Sequence, residues 1–403
     1  MTHRMENGSG YRWVVLLVYS IITVVIQMQW LTFAPIAREA RIFYQATPLQ
    51  IDLLSLVFMI TFLVVCIPAS FVIDTYGIRI GIGIGGLLTG LFGLAKGIFA
   101  ADYTLVLTCQ VGLAVAQPFI INAATKVAMR WFPARERATA VGLATLSQFV
   151  GVLIVMIATP FLIQANGEST VDLTGMLRIY GGVAATATVL LLIFLRERPS
   201  GDQRDSFKEA PFRFLPGLKH ILALRDMQIV LLVFMVGLGA FNAISTCIDQ
   251  ICQIKGFSIE QTSMVGGILL AAGILGGLTL PPLSDRLKRR KAFLVLAMGG
   301  IVPALVAMTV AAGYPVVLLS AFVFGFFLLG AGGPIGFQYS AEICRPAPES
   351  TSQGLILLVG QISGILFVLG MNTVGVIPLL WLFVLLAIAS VGLCSRLTES
   401  EIE

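Results

Sequence analysis

Polar side chains lie deep inside long apolar stretches of this sequence, where each needs a hydrogen-bonding partner, a cavity or a bound molecule. At about 1.5 Å per helical residue, Gln117 and Asn242 lie roughly 21 and 22 Å into their stretches, and Gln361 lies roughly 16 Å in. These depths fall in the middle third of a hydrocarbon core about 30 Å thick. Neutral amides donate and accept hydrogen bonds, so the three residues suit the recognition of a small polar molecule.

An aromatic ring and a carboxylate accompany these amides. Trp30 lies nearer the outer end of the first apolar stretch. Its ring either offers a π face to a cation in the same cavity or anchors the helix at the membrane interface. Asp249 lies seven residues after Asn242, on the same helix face and close to the outer end. It attracts a cation in an outer vestibule, holds a proton, or pairs with Lys96 at a similar depth; we favour the vestibule or the ion pair.

Some of these amides also have a purely structural interpretation. Gln148 and Gln361 can bond each other as a helix–helix contact, an alternative that stays open beside a role in binding. Pro118, directly after Gln117, removes a helix hydrogen bond at mid-span, and the freed carbonyl faces either the cavity or a neighbour. The structural interpretation suits four other polar residues of the apolar stretches better still: Gln27, Gln110, Asn122 and Gln338.

A charged turn interrupts the apolar sequence twice. Asp74, Gly77 and Arg79 follow the second apolar stretch, and Asp285 and Arg286 follow the eighth. The two aspartates are 211 positions apart (285 minus 74). Each turn ends one apolar stretch and precedes the next, so both belong to short loops between helices.

The spacing between the charged turns recurs elsewhere in the chain. Capping boxes that begin at Thr47 and Ser258 are also 211 positions apart (258 minus 47). Glu136 and Glu349 are 213 positions apart (349 minus 136). Because nearly one offset relates turns and apolar stretches alike, we predict two similar bundles.

The composition excludes a soluble globular protein. Of 403 residues, 57% are hydrophobic and only 12% are charged, with a mean hydropathy of +0.94. A membrane-spanning helix needs about 20 apolar residues, and the backbone in hydrocarbon must bond to itself. We therefore predict an all-α membrane protein with twelve spans: 11–33, 49–73, 78–100, 103–131, 138–164, 174–195, 227–253, 260–283, 292–312, 314–343, 350–374 and 377–395.

The distribution of basic residues predicts the orientation. Lysines and arginines concentrate on one side of the spans, which places both termini and the long linker in the cytoplasm. We predict an N-terminal six-helix bundle over residues 1–195, a cytoplasmic linker over 196–226 and a C-terminal six-helix bundle over 227–403. The linker is either a partly helical strap on the inner membrane surface or a flexible connector. The third span carries glycines at spacings of four, which favours close helix packing.

Other classes of function have little support. No nucleophile–base pair, phosphate loop or metal-ligand spacing is evident, so we expect no catalytic residue, no metal site and no cofactor. The six cysteines lie in or beside apolar stretches and are expected to be small buried hydrophobic residues. His3 and His220 lie outside the spans. The net charge of +5 comes from short loops and does not indicate nucleic-acid binding.

Twelve spans in two halves, with charged turns after spans 2 and 8, resemble the major facilitator superfamily. Its loop pattern Gly-x-x-x-Asp-x-x-Gly-x-Arg keeps Asp74, Gly77 and Arg79 in the first copy, and Asp285 and Arg286 in the second. The resemblance implies that these charges latch the cytoplasmic ends of the helices during gating. We expect the same role for three further residues, Arg130, Glu136 and Glu349.

A narrower resemblance, over nearly the whole chain, is to the feline leukaemia virus subgroup C receptor-related family of facilitators. It rests on Gln29-Trp30, Ala114-Val115-Ala116-Gln117-Pro118-Phe119-Ile120, Gly239-Ala240-Phe241-Asn242-Ala243-Ile244-Ser245-Thr246 and Gln361-x-x-Gly364-Ile365-Leu366-Phe367. That family moves choline and related amines and has been linked to haem. The resemblance implies a choline site built from Trp30, Gln117 and Gln361. Asn242 stands where the choline carriers have a tyrosine, which weakens the aromatic box.

Together these features predict a secondary transporter that works by alternating access. We expect its solute to be an amine, an amino alcohol such as choline, or a related polar metabolite, moved by facilitated diffusion. A proton-coupled symporter using Asp249 and a multidrug exporter are the alternatives within transport, and a non-transporting receptor is the alternative outside it. We expect a monomer in the plasma or inner membrane, whose partners are the small-molecule solute and the bilayer.

Overall fold

The computed structural model of the protein describes residues 6–164, 172–197, 221–344 and 349–399. Within these ranges the chain is helical and contains no strand, as the sequence predicts. Twelve of the helical segments are long and apolar enough to cross a membrane, which confirms the twelve predicted spans. The chain divides into two compact units, Met1–Phe207 and Lys208–Glu403. Most of the predicted linker, residues 198–220, lies outside the described residues, so its strap-like structure stays a prediction.

The first unit contains the first six spans. Its helices are α1 (Glu6–Trp30), a 3-10 turn (Ala34–Ile36), α2 (Ala37–Tyr44), α3 (Pro48–Tyr76), α4 (Ile78–Ile98), α5 (Tyr103–Ile121), α6 (Ala124–Trp131), α7 (Ala134–Gln164) and α8 (Thr174–Phe194).

The second unit contains the remaining six. Its helices are α9 (Arg225–Thr246), α10 (Ile248–Gln253), α11 (Ile259–Leu287), α12 (Arg290–Val310), α13 (Tyr314–Phe327), a π-helical turn (Leu328–Gly332), α14 (Gly333–Ile343), α15 (Glu349–Thr373) and α16 (Val376–Cys394).

The predicted capping boxes begin the second span of each unit. The Thr47 hydroxyl accepts from the backbone N–H of Gln50, and the Gln50 side chain accepts from the backbone N–H of Thr47 at 2.8 Å. Ser258 and Gln261 make the same reciprocal bonds at the start of α11. Because these bonds satisfy N–H groups that the helix leaves unpaired, they fix where both spans start.

Two spans of the first unit are interrupted along their length. The first span breaks after Trp30, and the fourth breaks at Asn122, four residues beyond Pro118. The Asn122 amide donates to the carbonyl of Cys66 at 3.2 Å and to the Ser70 hydroxyl at 3.0 Å. Asn122 thus fits the structural role that its sequence position favours.

The glycines of α4 let α8 approach closely. A Cβ atom at Gly90 would meet Thr188, one at Gly93 would meet Ala184, and one at Gly97 would lie 2.9 Å from the carbonyl of Leu177. These glycines share the face of α4 that packs on α8, as predicted. Gly181 of α8 has the reciprocal position, with the carbonyl of Gly93 2.7 Å from an added Cβ.

Gly181→Ala therefore destabilises the first unit, because a helix backbone has no room to move away from the new methyl group. We expect a cost of about 1–3 kcal/mol, as for other overpacked sites. The neighbouring Gly182 is the matched control, since no atom lies within 4 Å of its added Cβ. Thermal unfolding in detergent compares the melting temperatures of Gly181→Ala and Gly182→Ala. Equal melting temperatures for the two variants would contradict this packing.

Candidate solute-binding site and cytoplasmic latches

Trp30 ends α1 as a buried residue. Its side chain is only 7% exposed, and its indole Nε1 has no hydrogen-bond partner within the described residues. Its backbone carbonyl accepts a bond from Ser55 of α3 at 3.2 Å. A tryptophan that anchors at a membrane interface keeps its polar edge in a wet region. The burial of Trp30 with an unpaired N–H instead favours the interior alternative.

Gln117 is also buried, at 5% exposure, but it has a partner. Its Nε2 donates to Oε1 of Gln27 on α1, with 2.9 Å between the atoms. This bond ties the proline-containing helix α5 to α1. It matches the structural role suggested for Gln27, and a solute that binds Gln117 would have to share this amide pair.

A polar network surrounds the broken end of α1. The ammonium group of Lys96 is fully buried, 3.4 Å from the Thr32 hydroxyl and 3.4 Å from Oε1 of Gln110, and 5.7 Å from the ring centroid of Phe33. Gln110 also donates to the carbonyls of Gln29 and Leu54. A positive charge beside the last carbonyls of a helix stabilises its negative end. Lys96 thus has neutral partners within its own unit.

The second unit places Asn242 and Gln361 beside each other. The Asn242 amide donates to the carbonyl of Gly360 at 3.2 Å, which holds α9 against α15. Gln361 follows directly, and its Oε1 is buried without a partner in the described part of the chain. Asn242 is 6% exposed. One amide therefore packs the helices, while the neighbouring amide keeps an unused acceptor.

The remaining two candidates differ in their surroundings. Asp249 lies in the first turn of α10 and is buried, at 1% exposure. Gln148 lies half-buried on α7. Near Asp249 in sequence, Lys255 donates to the carbonyls of Thr309 and Ala311 and so satisfies the end of α12. Burial lowers the pKa of the Lys255 ammonium group, which lies outside the spans.

A cluster of charges at one end of the first unit, the candidate latch, centres on Glu197, just beyond α8. Its carboxylate accepts from the backbone N–H groups of Ile78 and Arg79, at 3.3 and 2.7 Å, and forms an ion pair with Arg130. Gly77 has a φ of +96°, and an added Cβ would collide with the same carboxylate. Glycine alone tolerates the positive φ and leaves room for the Glu197 carboxylate.

Two further ion pairs support this end of the unit. Asp74 pairs with Lys126 of α6 at 2.6 Å, although the Asp74 side chain is 71% exposed. Glu136 pairs with Arg12 of α1 at 2.9 Å. The backbone N–H of Arg79 donates to the Glu197 carboxylate, while the Arg79 side chain is exposed.

A corresponding cluster of charges in the second unit includes a residue that the sequence did not single out. Arg290, at 5% exposure, forms ion pairs with Asp285 and with Glu342 of α14, the second at 3.1 Å. The side chain of Arg286 is exposed, and its latch role stays a prediction. The side chain of Glu349 lies outside the described residues, and its latch role stays a prediction.

A comparison with known protein families bears on this arrangement. The family model described as Major Facilitator Superfamily matches residues 15–368. The chain belongs to the major facilitator superfamily. It is accordingly a multi-pass membrane protein of a family of transporters for small solutes.

Individual relatives within the superfamily show which transporters this chain resembles most specifically. Solute carrier family 49 member A3 of Danio rerio is 32% identical over 373 residues, which cover 89% of this facilitator and 77% of the relative. The choline/ethanolamine transporter FLVCR1 of Felis catus is 28% identical, covering 90% and 67%. The choline/ethanolamine transporter FLVCR2 of Homo sapiens is 27% identical, covering 91% and 72%. The predicted resemblance to this group of facilitators is confirmed.

Solved structures support the fold. A bacterial homologue of the human lysosomal transporter Spinster superposes with a TM-score of 0.72 at 15% identity, covering 96% of each chain. The D-xylose–proton symporter superposes with a TM-score of 0.73 at 14% identity, covering 97% of this facilitator and 99% of that chain. At these identities the likeness extends to the fold alone.

Sequence reasoning did not single out Glu197 and Arg290, which hold these charge clusters together. For Glu197 a signal was present in the sequence. Glu197 directly follows the sixth span, and Glu399, which accepts from the backbone N–H of Lys291 at 3.0 Å, directly follows the twelfth. A carboxylate after the last span of each half is therefore a repeated feature that caps the third span of that half, α4 or α12. The charged turns alone did not indicate this carboxylate.

Arg290→Met removes the buried cation between two carboxylates. Glu342, whose side chain is 10% exposed, then loses this cation, although Gln338 still donates to it. We expect a loss of about 3 kcal/mol, because breaking a buried pair leaves a charge uncompensated. Arg286→Met is the matched control, and we expect a change of at most about 0.5 kcal/mol. Thermal unfolding of both variants in detergent measures the difference, and a larger loss in Arg286→Met than in Arg290→Met would contradict this account.

Proposed function

We propose that this facilitator carries a small organic amine or amino alcohol across the membrane by facilitated diffusion. The proposal rests on two relatives that are named choline/ethanolamine transporters, at 27–28% identity. It also rests on the chemistry of four candidate contact residues that are neutral or aromatic: Trp30, Gln117, Asn242 and Gln361. Such residues suit a cationic or polar solute better than a polyanion.

The observation that carries the proposal is the burial of Trp30. The large aromatic side chain is only 7% exposed, and its Nε1 has no partner among the described residues. Desolvated aromatic rings bind ammonium groups more strongly than exposed rings do. Trp30 is thus the residue best suited to hold the charged end of the solute.

We propose Trp30, Gln117, Gln148, Asn242, Asp249 and Gln361 as residues that contact the solute. Alternating access then exposes the solute first to one side and then to the other. The ion pairs at Asp74, Arg130, Glu136 and Asp285 would form and break at the cytoplasmic ends, with the buried charges costing most to separate.

Proton coupling remains a second candidate because of Asp249. A carboxylate that is 1% exposed in a membrane protein is costly unless it has a function or a partner. Both histidines lie outside the spans, and the other candidate residues do not titrate. We therefore propose uniport as the leading mechanism, with symport through Asp249 as the alternative. We further propose a monomer in the plasma or inner membrane with both termini in the cytoplasm.

Uptake into liposomes across a panel of amines and organic acids tests the proposal. We expect saturable uptake of amines that falls at least tenfold in Trp30→Ala, because the π face that holds the ammonium group is lost. Trp381→Ala is the matched control, because Trp381 is 45% exposed on α16. We expect this variant to take up amines at the rate of the unaltered protein. Uptake of many unrelated drugs would favour an exporter, and binding without uptake would favour a receptor.

The same assay with and without a proton gradient separates uniport from symport. Under uniport, an inward proton gradient leaves the initial rate of amine uptake unchanged at fixed membrane potential. Strict dependence on the gradient, abolished in Asp249→Asn, would establish symport instead.

A further inference from the structure

A groove of about 410 Å³ lies between α1 and α8, within the first unit. Ile21 and Val25 line it on α1, and residues between Ile179 and Leu190 line it on α8. The groove is open, because Ile179 is 49% exposed and Val183 is 39% exposed. Both helices belong to membrane spans, so these exposed aliphatic side chains lie at the depth of the hydrocarbon.

The lining of this groove favours an apolar occupant. Thr186 is its polar side chain, and the Thr186 hydroxyl already donates to the carbonyl of Gly182 at 2.9 Å. Gly182 leaves space in the groove, since no atom lies within 4 Å of a Cβ added there. A bound water needs two or more polar partners, which this lining does not offer. A hydrocarbon chain gains contact with every side chain of the lining instead.

Hydrogen bonds join α1 to α8 at both ends of the groove. The Tyr11 hydroxyl donates to the carbonyl of Phe194 at 2.7 Å, where α1 begins and α8 ends. The Gln29 amide donates to the carbonyl of Tyr180 at 3.1 Å, near the opposite end. Tyr11 and Val25 are 14 positions apart (25 minus 11), close to four helical turns, so they share the face of α1 that packs on α8. Tyr11 therefore marks one end of the groove.

A stacked arginine lies at this end. The guanidinium carbon of Arg196 is 4.5 Å from the centroid of the Tyr11 ring, and the Arg196 side chain is exposed. Arg196 forms no ion pair with a described residue, whereas the nearby Arg12 is paired with Glu136 at 2.9 Å. Arginine that stacks on an aromatic ring keeps its fork of N–H donors in the ring plane, where it can bind a phosphate. Arg196 is thus an oriented cation without a carboxylate partner among the described residues.

The distance between the arginine and the groove matches the dimensions of one lipid. Leu190 and Ile179 precede Phe194, the end of α8, by 4 and 15 positions (194 minus 190 and 194 minus 179). By helix rise, the groove therefore extends from about 6 to about 22 Å below this end. Half a bilayer has a headgroup layer of about 5–7 Å above about 15 Å of hydrocarbon. A phosphate beside Arg196 puts the acyl chain of the same lipid at the depth of the groove.

We propose that the groove between α1 and α8 binds one acyl chain of an anionic phospholipid whose phosphate contacts Arg196. Charge complementarity selects the headgroup, and burial of apolar surface holds the chain. The orientation predicted from the basic residues places Arg196 at the cytoplasmic leaflet, which carries the anionic lipids of a cell membrane. This lipid joins the start of α1 to the end of α8, and the site does not depend on which solute is carried.

Native mass spectrometry of the full chain tests the proposal, after incubation in detergent with equal amounts of dioleoylphosphatidylglycerol and dioleoylphosphatidylcholine. The two lipids share their acyl chains and differ in net charge. We expect the first lipid retained to be the anionic one, by roughly tenfold, because its headgroup forms a charge-assisted hydrogen bond. Equal retention would overturn the proposal. Displacement of the anionic lipid by an equal concentration of glycerol 3-phosphate, which has no chains, or of cholesterol, which has no phosphate, would overturn it as well.

A variant of the arginine assigns the headgroup contact. In Arg196→Gln we expect the preference for phosphatidylglycerol to disappear. Arg396→Gln is the matched control, because Arg396 is also exposed and also lies two positions beyond the last helix of its unit, with no aromatic ring beneath it in the described ranges. We expect this control to keep the preference. An unchanged preference in Arg196→Gln, or an equal loss in both variants, would overturn the role of Arg196.

A second variant assigns the chain to the groove. Gly182→Leu places a side chain in the space that the acyl chain occupies, so retention of phosphatidylglycerol should fall by roughly tenfold. Gly392→Leu on α16 is the matched control, since an added Cβ there also has no atom within 4 Å. Unchanged retention in Gly182→Leu would overturn the groove as the binding site. Melting temperatures show whether the variants are folded, and the comparison of the two lipids in the unaltered protein needs no variant.

Discussion

The absence of hydrogen-bond partners in hydrocarbon is the constraint on which this structure depends. Many polar side chains inside the described spans bond to a backbone carbonyl or to another side chain. Tyr19 donates to the carbonyl of Ile120 at 2.8 Å, where α5 ends after Pro118, and Gln110 donates to two carbonyls. Trp30 and Gln361 are among the buried residues whose polar atoms have no partner in the described part of the chain, and both are candidates for solute binding.

The two units solve the same structural problems with related residues. A capping box starts the second span of each, and a carboxylate beyond the last span, Glu197 or Glu399, accepts from the N-terminal N–H groups of the third. The cations differ, because Arg130 and Lys126 come from α6 in the first unit, whereas Arg290 begins α12 in the second. Duplication thus preserved where a charge is needed but not which helix supplies it.

The sequence predicted the helical class, the twelve spans, the capping boxes and the glycine face because each depends on local pattern. Span length, Thr47 with Gln50, and glycines at spacings of four need no knowledge of distant contacts. The ion-pair partners of the charged residues depend on tertiary packing, which a sequence pattern does not show. Asp285 pairs with Arg290, five positions further along the chain, and Arg290 also reaches Glu342 on α14.

Direct detection of a solute at Trp30 tests the central claim most simply. Replacing Trp13, Trp131 and Trp381 by phenylalanine leaves Trp30 as the sole tryptophan of the four. Titration of this variant with ethanolamine should change the emission of Trp30 saturably, over the same concentration range that supports uptake in liposomes. Saturable uptake with no change in Trp30 emission at any concentration would contradict the account.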